Sequence, residues 1–186
     1  MNKFFKIILA SFVGLWSAPA FSGDISPLIT PLELASMAES PLILDIRAKG
    51  FRVGHIEGAV AAPYNLFRGP AENPGQVPPT SQLEAIYETS GLEPSSVIVI
   101  VSHGNNDTDF GAAARVYWTL KSSGFTELSV LNGGLLAWTD AGLPLTKAVI
   151  TPKKTQLDIT WDDTWSVSTE EITQMASGEI LSLIHI

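Results

Sequence analysis

Apolar residues along this chain gather in short blocks separated by polar, Gly- and Pro-bearing segments. Leu42 to Ile46 is apolar except for Asp45, and Val97 to Val101 is five β-branched residues in a row. Such runs, without period-two alternation, predict strands buried on both faces of a parallel sheet. Leu128 to Leu131 predicts a third. Helix signals lie between them. Thr30-Pro31-Leu32-Glu33 offers an N-cap, a proline at the first helical position and a glutamate three residues after the cap. A short helix to about Ser40 follows, stopped by Pro41. Ser81 to Ser90 predicts a second helix, with Glu84 completing another capping box and Gly91 ending it. Gly111 to Lys121 predicts a third, closed near Gly124. Leu135 to Asp140 predicts a fourth, entered through the turn Asn132-Gly133-Gly134 and ended by Gly142 and Pro144. Gly54 to Pro79 reads mostly as loop, and Ser102 to Asp109 as a polar loop. Strands alternating with helices predict a three-layer α/β/α domain with a mostly parallel central sheet, over residues 23–148.

The two ends follow different patterns. Lys3 and Lys6, the apolar run Ile7 to Trp16 and the small residues Ala18-Pro19-Ala20 predict a signal peptide over residues 1–22. The apolar run is too short to span a bilayer. A periplasmic or secreted protein with no membrane attachment after cleavage is therefore expected. Residues 149–165 read as an interdomain linker, and residues after about Thr151 are expected to pack poorly. Ser168-Thr169-Glu170-Glu171 then restarts a capping box. With Ile172, Met175 and Ala176 it overlays Thr30, Glu33, Leu34, Met37 and Ala38 at an offset of 138 residues. Residues 166–180 thus predict the start of a second copy of the domain, truncated where Leu183 stands in place of an acid matching Asp45. Leu181 to Ile186 is what a common sequencing-library adapter encodes in frame. A non-native tail is expected there.

Composition narrows the chemistry. Apolar residues are 45% and charged residues 16% of the 186, which suits a packed core. Loss of the signal segment, with Lys3 and Lys6, takes the net charge from −8 to −10. That balance disfavours nucleic acid as a partner. The chain has no cysteine, so it can form neither a disulfide nor a thiolate.

Three motifs in order resemble the rhodanese family. The first is Leu44-Asp45-Ile46-Arg47 with Gly54-His55-Ile56-Glu57-Gly58-Ala59, although Glu57 stands where the family usually has proline. The second is the buried strand, loop and helix ending Ala113-Ala114-Arg115-Val116-Tyr117-Trp118. The third is Asn132-Gly133-Gly134 with Trp138 and Gly142-Leu143-Pro144. Together they span about residues 26–146. The resemblance implies a sulfurtransferase parent that moves sulfane sulfur from thiosulfate or 3-mercaptopyruvate to a thiophilic acceptor. Its active form carries a cysteine directly after the second buried strand, in a loop whose N–H groups stabilise an anion. Here Ser102 or His103 occupies that place, and a serine hydroxyl cannot store sulfur. The resemblance therefore implies that these are vestigial positions with no catalytic residue among them. It also implies that the partner is the protein's own missing C-terminal rhodanese domain. A stand-alone secreted binding module for an anion or a partner protein is the alternative.

Read on their own chemistry, the motif residues are structural. Asp45 and Arg47 at a strand end fix neighbouring loops, and His55 reads as a buried hydrogen-bonding residue. Gly54 precedes it, while Gly58, Gly133 and Gly134 mark turns with positive φ. Trp118 and Trp138 read as helix-face core residues. The loop from Ser102 to Phe110 is expected to be longer than an active one, with Asp107 and Asp109 lying between position 102 and the helix. Ser102 and His103, as chain neighbours, point apart and do not make a hydrolase pair. Asp107 and Asp109 lack the glycine and terminal glutamate of a calcium loop. Neither cofactor nor metal is expected.

Overall fold

The computed structural model describes residues 25–177. The signal segment 1–22, the tail 181–186 and the last residues assigned to a second domain lie outside them. In chain order the elements are β1 (Leu28–Ile29), α1 (Pro31–Ala35), β2 (Leu42–Asp45), β3 (Val60–Ala61), α2 (Thr80–Thr89), β4 (Ile98–Val101), α3 (Asp107–Ser122), β5 (Leu128–Leu131), α4 (Gly134–Asp140) and α5 (Thr169–Ser177). Short 3-10 turns stand at Tyr64–Phe67 and Asp163–Trp165. All five strands are parallel, in the order β1-β5-β4-β2-β3. The three strands read from apolar runs are the middle of the sheet.

Side chains of β4 show why its sequence is apolar throughout. Ile98 and Ile100 enter one core with Leu83 and Tyr87 of α2 and Val116 and Leu120 of α3. Val99 and Val101 enter a second core with Leu34 of α1 and Leu135 and Trp138 of α4. A strand covered on both faces has no polar side to show. The architecture is α/β in three layers, α2 and α3 on one face and α1 and α4 on the other.

Several boundaries differ from the sequence reading. The Thr30–Glu33 capping box forms, but α1 ends at Ala35, because the Ser36 N–H and hydroxyl both turn back to the Glu33 carbonyl. The capping box expected at Ser81 and Glu84 does not form. Pro79 stands at the N-cap of α2 with no side-chain cap, and the Glu84 carboxylate accepts instead from the Ile159 N–H at 3.1 Å. The stretch 54–79 is less irregular than expected, since it holds β3 and the Tyr64–Phe67 turn. Trp118 is half-buried rather than core, and its Nε1–H donates to the Trp165 carbonyl at 2.7 Å. None of residues 152–165 is buried, yet Leu157, Ile159 and Trp161 lie half-buried against the α2/α3 core, a closer contact than the sequence suggested. Helix α5 has no buried residue. Among the described residues, no helix is long and apolar enough to cross a membrane.

The third helix begins four residues earlier than the sequence suggested, at Asp107 rather than Gly111. Gly111 is therefore an interior helical residue, without a positive φ and with open space where a Cβ would stand. Gly111→Ala should raise stability by about 0.5–1 kcal/mol by removing backbone freedom from the unfolded chain. A higher urea midpoint at unchanged slope is the expected readout. A lower midpoint would mean that the surface there is not open.

Candidate functional site

In this sheet the chain starts at the edge strand β1, crosses to β2 and moves outward to β3, then returns to the other side of β2 and builds β4 and β5 back toward β1. The strand order thus switches between β2 and β4. Open parallel sheets bind ligands beyond the C-terminal ends of the strands at such a switch. Asp45 ends β2, Val101 ends β4, and the two are register partners. The loop Ser102–Asn106 and the turn around Arg47 therefore flank the crevice.

The loop is held by backbone rather than by side chains. Ser102 is buried, and its carbonyl accepts the Leu135 N–H at 2.9 Å; the His103 carbonyl accepts the Leu136 N–H at 3.0 Å. These are first-turn amides of α4, which has no side-chain cap. So close an approach requires glycine on both sides. Gly133 and Gly134 have φ of 74° and 60°, and a Cβ on Gly134 would lie 2.7 Å from the Ser102 carbonyl oxygen. Gly104, at φ 91°, packs its backbone directly on the Gly133 carbonyl. Gly104 is the site residue that the sequence reading missed, because its necessity comes from a turn about thirty residues away.

The start of α3 is furnished by its own side chains. Asn106 caps it by accepting the Asp109 N–H at 3.1 Å, and the Asp109 carboxylate accepts the Asn105 N–H at 2.9 Å. Asp107 accepts the Thr108 N–H at 3.0 Å. Both carboxylates suit the positive end of the helix. Asp107 and Asp109 belong to the first turn of α3, not to a lengthened loop as the sequence reading had it. The consequence for chemistry is electrostatic. An anion approaching this loop meets two carboxylates, and one of the loop amides is already bound to one of them.

Ser102 Oγ is the only group here resembling a nucleophile. No hydrogen bond joins it to His103 among the described residues, and His103 Nδ1 is buried without a partner. Nothing in the loop is arranged to take the serine proton. Among the described residues no three His, Cys, Asp or Glu side chains gather as metal ligands.

On the β2 side, the buried Asp45 carboxylate accepts from the Arg47 N–H, from Nε and from Nη2, the last at 2.6 Å. Arg47 Nη2 also donates to the Gly54 carbonyl at 2.8 Å, closing the turn between them. His55 follows. Its Nδ1 lies 2.7 Å from the Phe51 carbonyl and its Nε2 3.2 Å from that of Ala148, while its ring stacks on Phe51. Together with the paired His55 and Thr146 backbones, this ties the turn to the segment leaving α4. Gly58 turns at φ 78°. Arg115 lies elsewhere, donating to the Gly75 carbonyl at 2.7 Å across the Trp118 ring. Trp138 is buried under α4 and donates to the Pro144 carbonyl at 2.9 Å. The structure thus gathers Ser102, His103, Gly133 and Gly134 in one cluster and Asp45, Arg47 and Gly54 in its neighbour.

Residues 30–141 match the family model of the rhodanese-like domain. A thiosulfate sulfurtransferase of Azotobacter vinelandii is 32% identical over 129 residues, which are 67% of this chain and 46% of that protein. A putative thiosulfate sulfurtransferase of Synechococcus elongatus is 33% identical over 108 residues, 56% of this chain and 33% of the relative. The chain thus spans about half the length, or less, of these relatives. Among solved structures, the 3-mercaptopyruvate sulfurtransferase SseA of Escherichia coli superposes with a TM-score of 0.69 at 17% identity. That alignment covers 83% of this chain and 63% of that one.

Proposed function

The chain belongs to the rhodanese family, and from that premise we propose that it is the non-catalytic domain of an exported, two-domain sulfurtransferase. One observation carries the reading: Ser102 stands at the end of β4 in a chain with no cysteine. Sulfane sulfur is carried on a thiolate, and no residue here can form one. The parent protein would transfer sulfur from thiosulfate or 3-mercaptopyruvate to a thiophilic acceptor through a cysteine in its second rhodanese domain. This domain would be the packing partner that forms one wall of the cleft between them. The length of the matched relatives supports a second domain, as does the second capping box, in which Ser168 and Glu171 bond reciprocally. The basic and apolar start of the sequence supports export to the periplasm or beyond.

The purified chain, tested with thiosulfate and cyanide, should transfer no sulfur above the uncatalysed rate. Turnover that disappears in Ser102→Ala would overturn the reading. Sequencing the gene past the codon for Ile180 tests the second domain: continuation into a strand and a cysteine-bearing loop is expected, and a stop codon directly after Ile186 would refute it.

Restoring the thiol alone should not restore chemistry. In Ser102→Cys a helix N-terminus, that of α3, follows in the chain and would favour a nearby thiolate. Against it stand Asp107 and Asp109, which disfavour a nearby negative charge, and the Asn105 amide is already occupied. The thiol should titrate at or above the free value of ~8.5 and react slowly with iodoacetamide at neutral pH. Adding Asp109→Asn should lower that value by about one unit. A single-variant thiol titrating below about 7 would show that the loop still stabilises an anion.

A further inference from the structure

Residues 152–162 run across α2 and α3 without joining the sheet and end in the 3-10 turn Asp163–Trp165. Thr155, Leu157, Ile159 and Trp161 turn inward, while Gln156, Asp158 and Thr160 are exposed. That is the period-two alternation of a strand. A strand needs acceptors for its N–H groups, and here a helix supplies them. The Thr155 N–H donates to the Glu88 carbonyl at 3.2 Å, the Leu157 N–H to the Glu88 carboxylate at 3.2 Å, and the Ile159 N–H to the Glu84 carboxylate at 3.1 Å. Glu84 and Glu88 are one helical turn apart on one face of α2. A turn rises about 5.4 Å, near the about 6.6 Å between alternate residues of a strand, so two carboxylates can serve two successive inward amides. Lys154 adds an ion pair to Glu88 at 3.3 Å.

We propose that this segment is an acid-sensitive clasp, held over α2 by the carboxylates of Glu84 and Glu88 and released when Glu88 is protonated. A neutral carboxyl is a weaker acceptor than a carboxylate and cannot pair with Lys154. Other charged groups on the packed elements are engaged elsewhere or face outward. Lys153 and Asp158 are exposed on the outer side of the segment, Arg115 is bound to Gly75 and Trp118, and Lys121 lies over the Trp165 ring. At the far end the Asp162 N–H on the Ser122 carbonyl and Trp118 Nε1–H on the Trp165 carbonyl do not titrate. The Asp162 carboxylate, which accepts the Thr164 N–H at 2.9 Å and is held below its ordinary value by its hydrogen bonds to Thr164, caps the turn and not the stretch over α2. Protonation of Glu88 frees the stretch of the segment over α2. It loosens the path by which the chain reaches α5.

The sign follows from Glu88. The Leu157 amide, and then Lys154, hold its carboxyl below the ordinary value of 4.5. A group depressed on folding stabilises above its unfolded value, and that contribution is lost as pH falls through its folded value. The window thus opens near 4.5 and extends downward. The role is independent of any sulfur chemistry.

Hydrogen exchange on the full chain, corrected for intrinsic rates, tests it. Protection of the Leu157 and Ile159 amides should fall severalfold between neutral pH and pH about 3.5, while Val99 and Ile100 stay protected. The variant Glu88→Gln mimics the protonated carboxyl and should show the same loss already at neutral pH, with the core intact. Wild-type protection of Leu157 and Ile159 in that variant would overturn the proposal. So would loss of the strap amides in acid only together with the core amides.

Discussion

Alanine at Gly104 should cost this domain about 3–5 kcal/mol, a large share of the total stability of a domain this size. Two effects add. The backbone at Gly104 has φ 91°, where a Cβ costs about 1–2 kcal/mol. That Cβ would also drive into the Gly133 carbonyl, with the carbonyl carbon at 2.7 Å and Gly134 Cα at 3.3 Å. Both neighbours are backbone atoms, which cannot swing aside as the end of a flexible side chain could. Relief requires separating the loop after β4 from the start of α4, which breaks the bonds from Leu135 and Leu136 to the Ser102 and His103 carbonyls. Gly142→Ala is the control. Its φ is 73°, but nothing lies within 4 Å of the added Cβ, so it should lose only about 1–2 kcal/mol. Urea midpoints of the two variants should therefore separate clearly. Equal losses would mean that conformation alone, and not the contact, makes Gly104 necessary.

That contact marks a boundary in what the sequence makes legible. Strands β2, β4 and β5 can be read because burial on both faces writes itself as a contiguous apolar run. Strands β1 and β3 have two residues each, Leu28–Ile29 and Val60–Ala61, too short for any periodicity to register. The start of α3 was legible in principle. Asn106 followed by Asp107 and Asp109 is an N-cap with an acidic first turn, but the same polar residues read equally well as loop, and Gly111 drew the boundary too late. The strap illustrates a different loss. Its alternation is plain at Thr155, Leu157, Ile159 and Trp161, yet no strand is available to pair with it. Only the fold brings the Glu84 and Glu88 carboxylates into line. At the candidate site, the replacement of a thiol by Ser102 is a local fact and was readable. The engagement of Asn105 by Asp109, which changes what the loop can bind, is a matter of geometry.

The second large effect is expected at Asp45. Its carboxylate is almost wholly buried at the end of β2 and accepts four hydrogen bonds, all from Arg47. Arg47 is itself nearly buried, with only the Gly54 carbonyl as a further acceptor. Asp45→Ala would strand a guanidinium away from water, a change that costs about 3–5 kcal/mol. Arg47→Met would strand the carboxylate and cost a similar amount, and it would also release the turn at Gly54. The pair, by contrast, contributes much less than either loss suggests, because both ions were desolvated to form it. The double variant Asp45→Ala, Arg47→Met should therefore be no less stable than either single one by more than about 1 kcal/mol, giving a coupling of at least about 2–4 kcal/mol. Denaturant titration of the four proteins measures this directly. Losses that simply add would mean that Asp45 and Arg47 act on separate parts of the fold. In that case the ion pair could not be what fixes the β2 side of the crevice against the loop carrying Ser102.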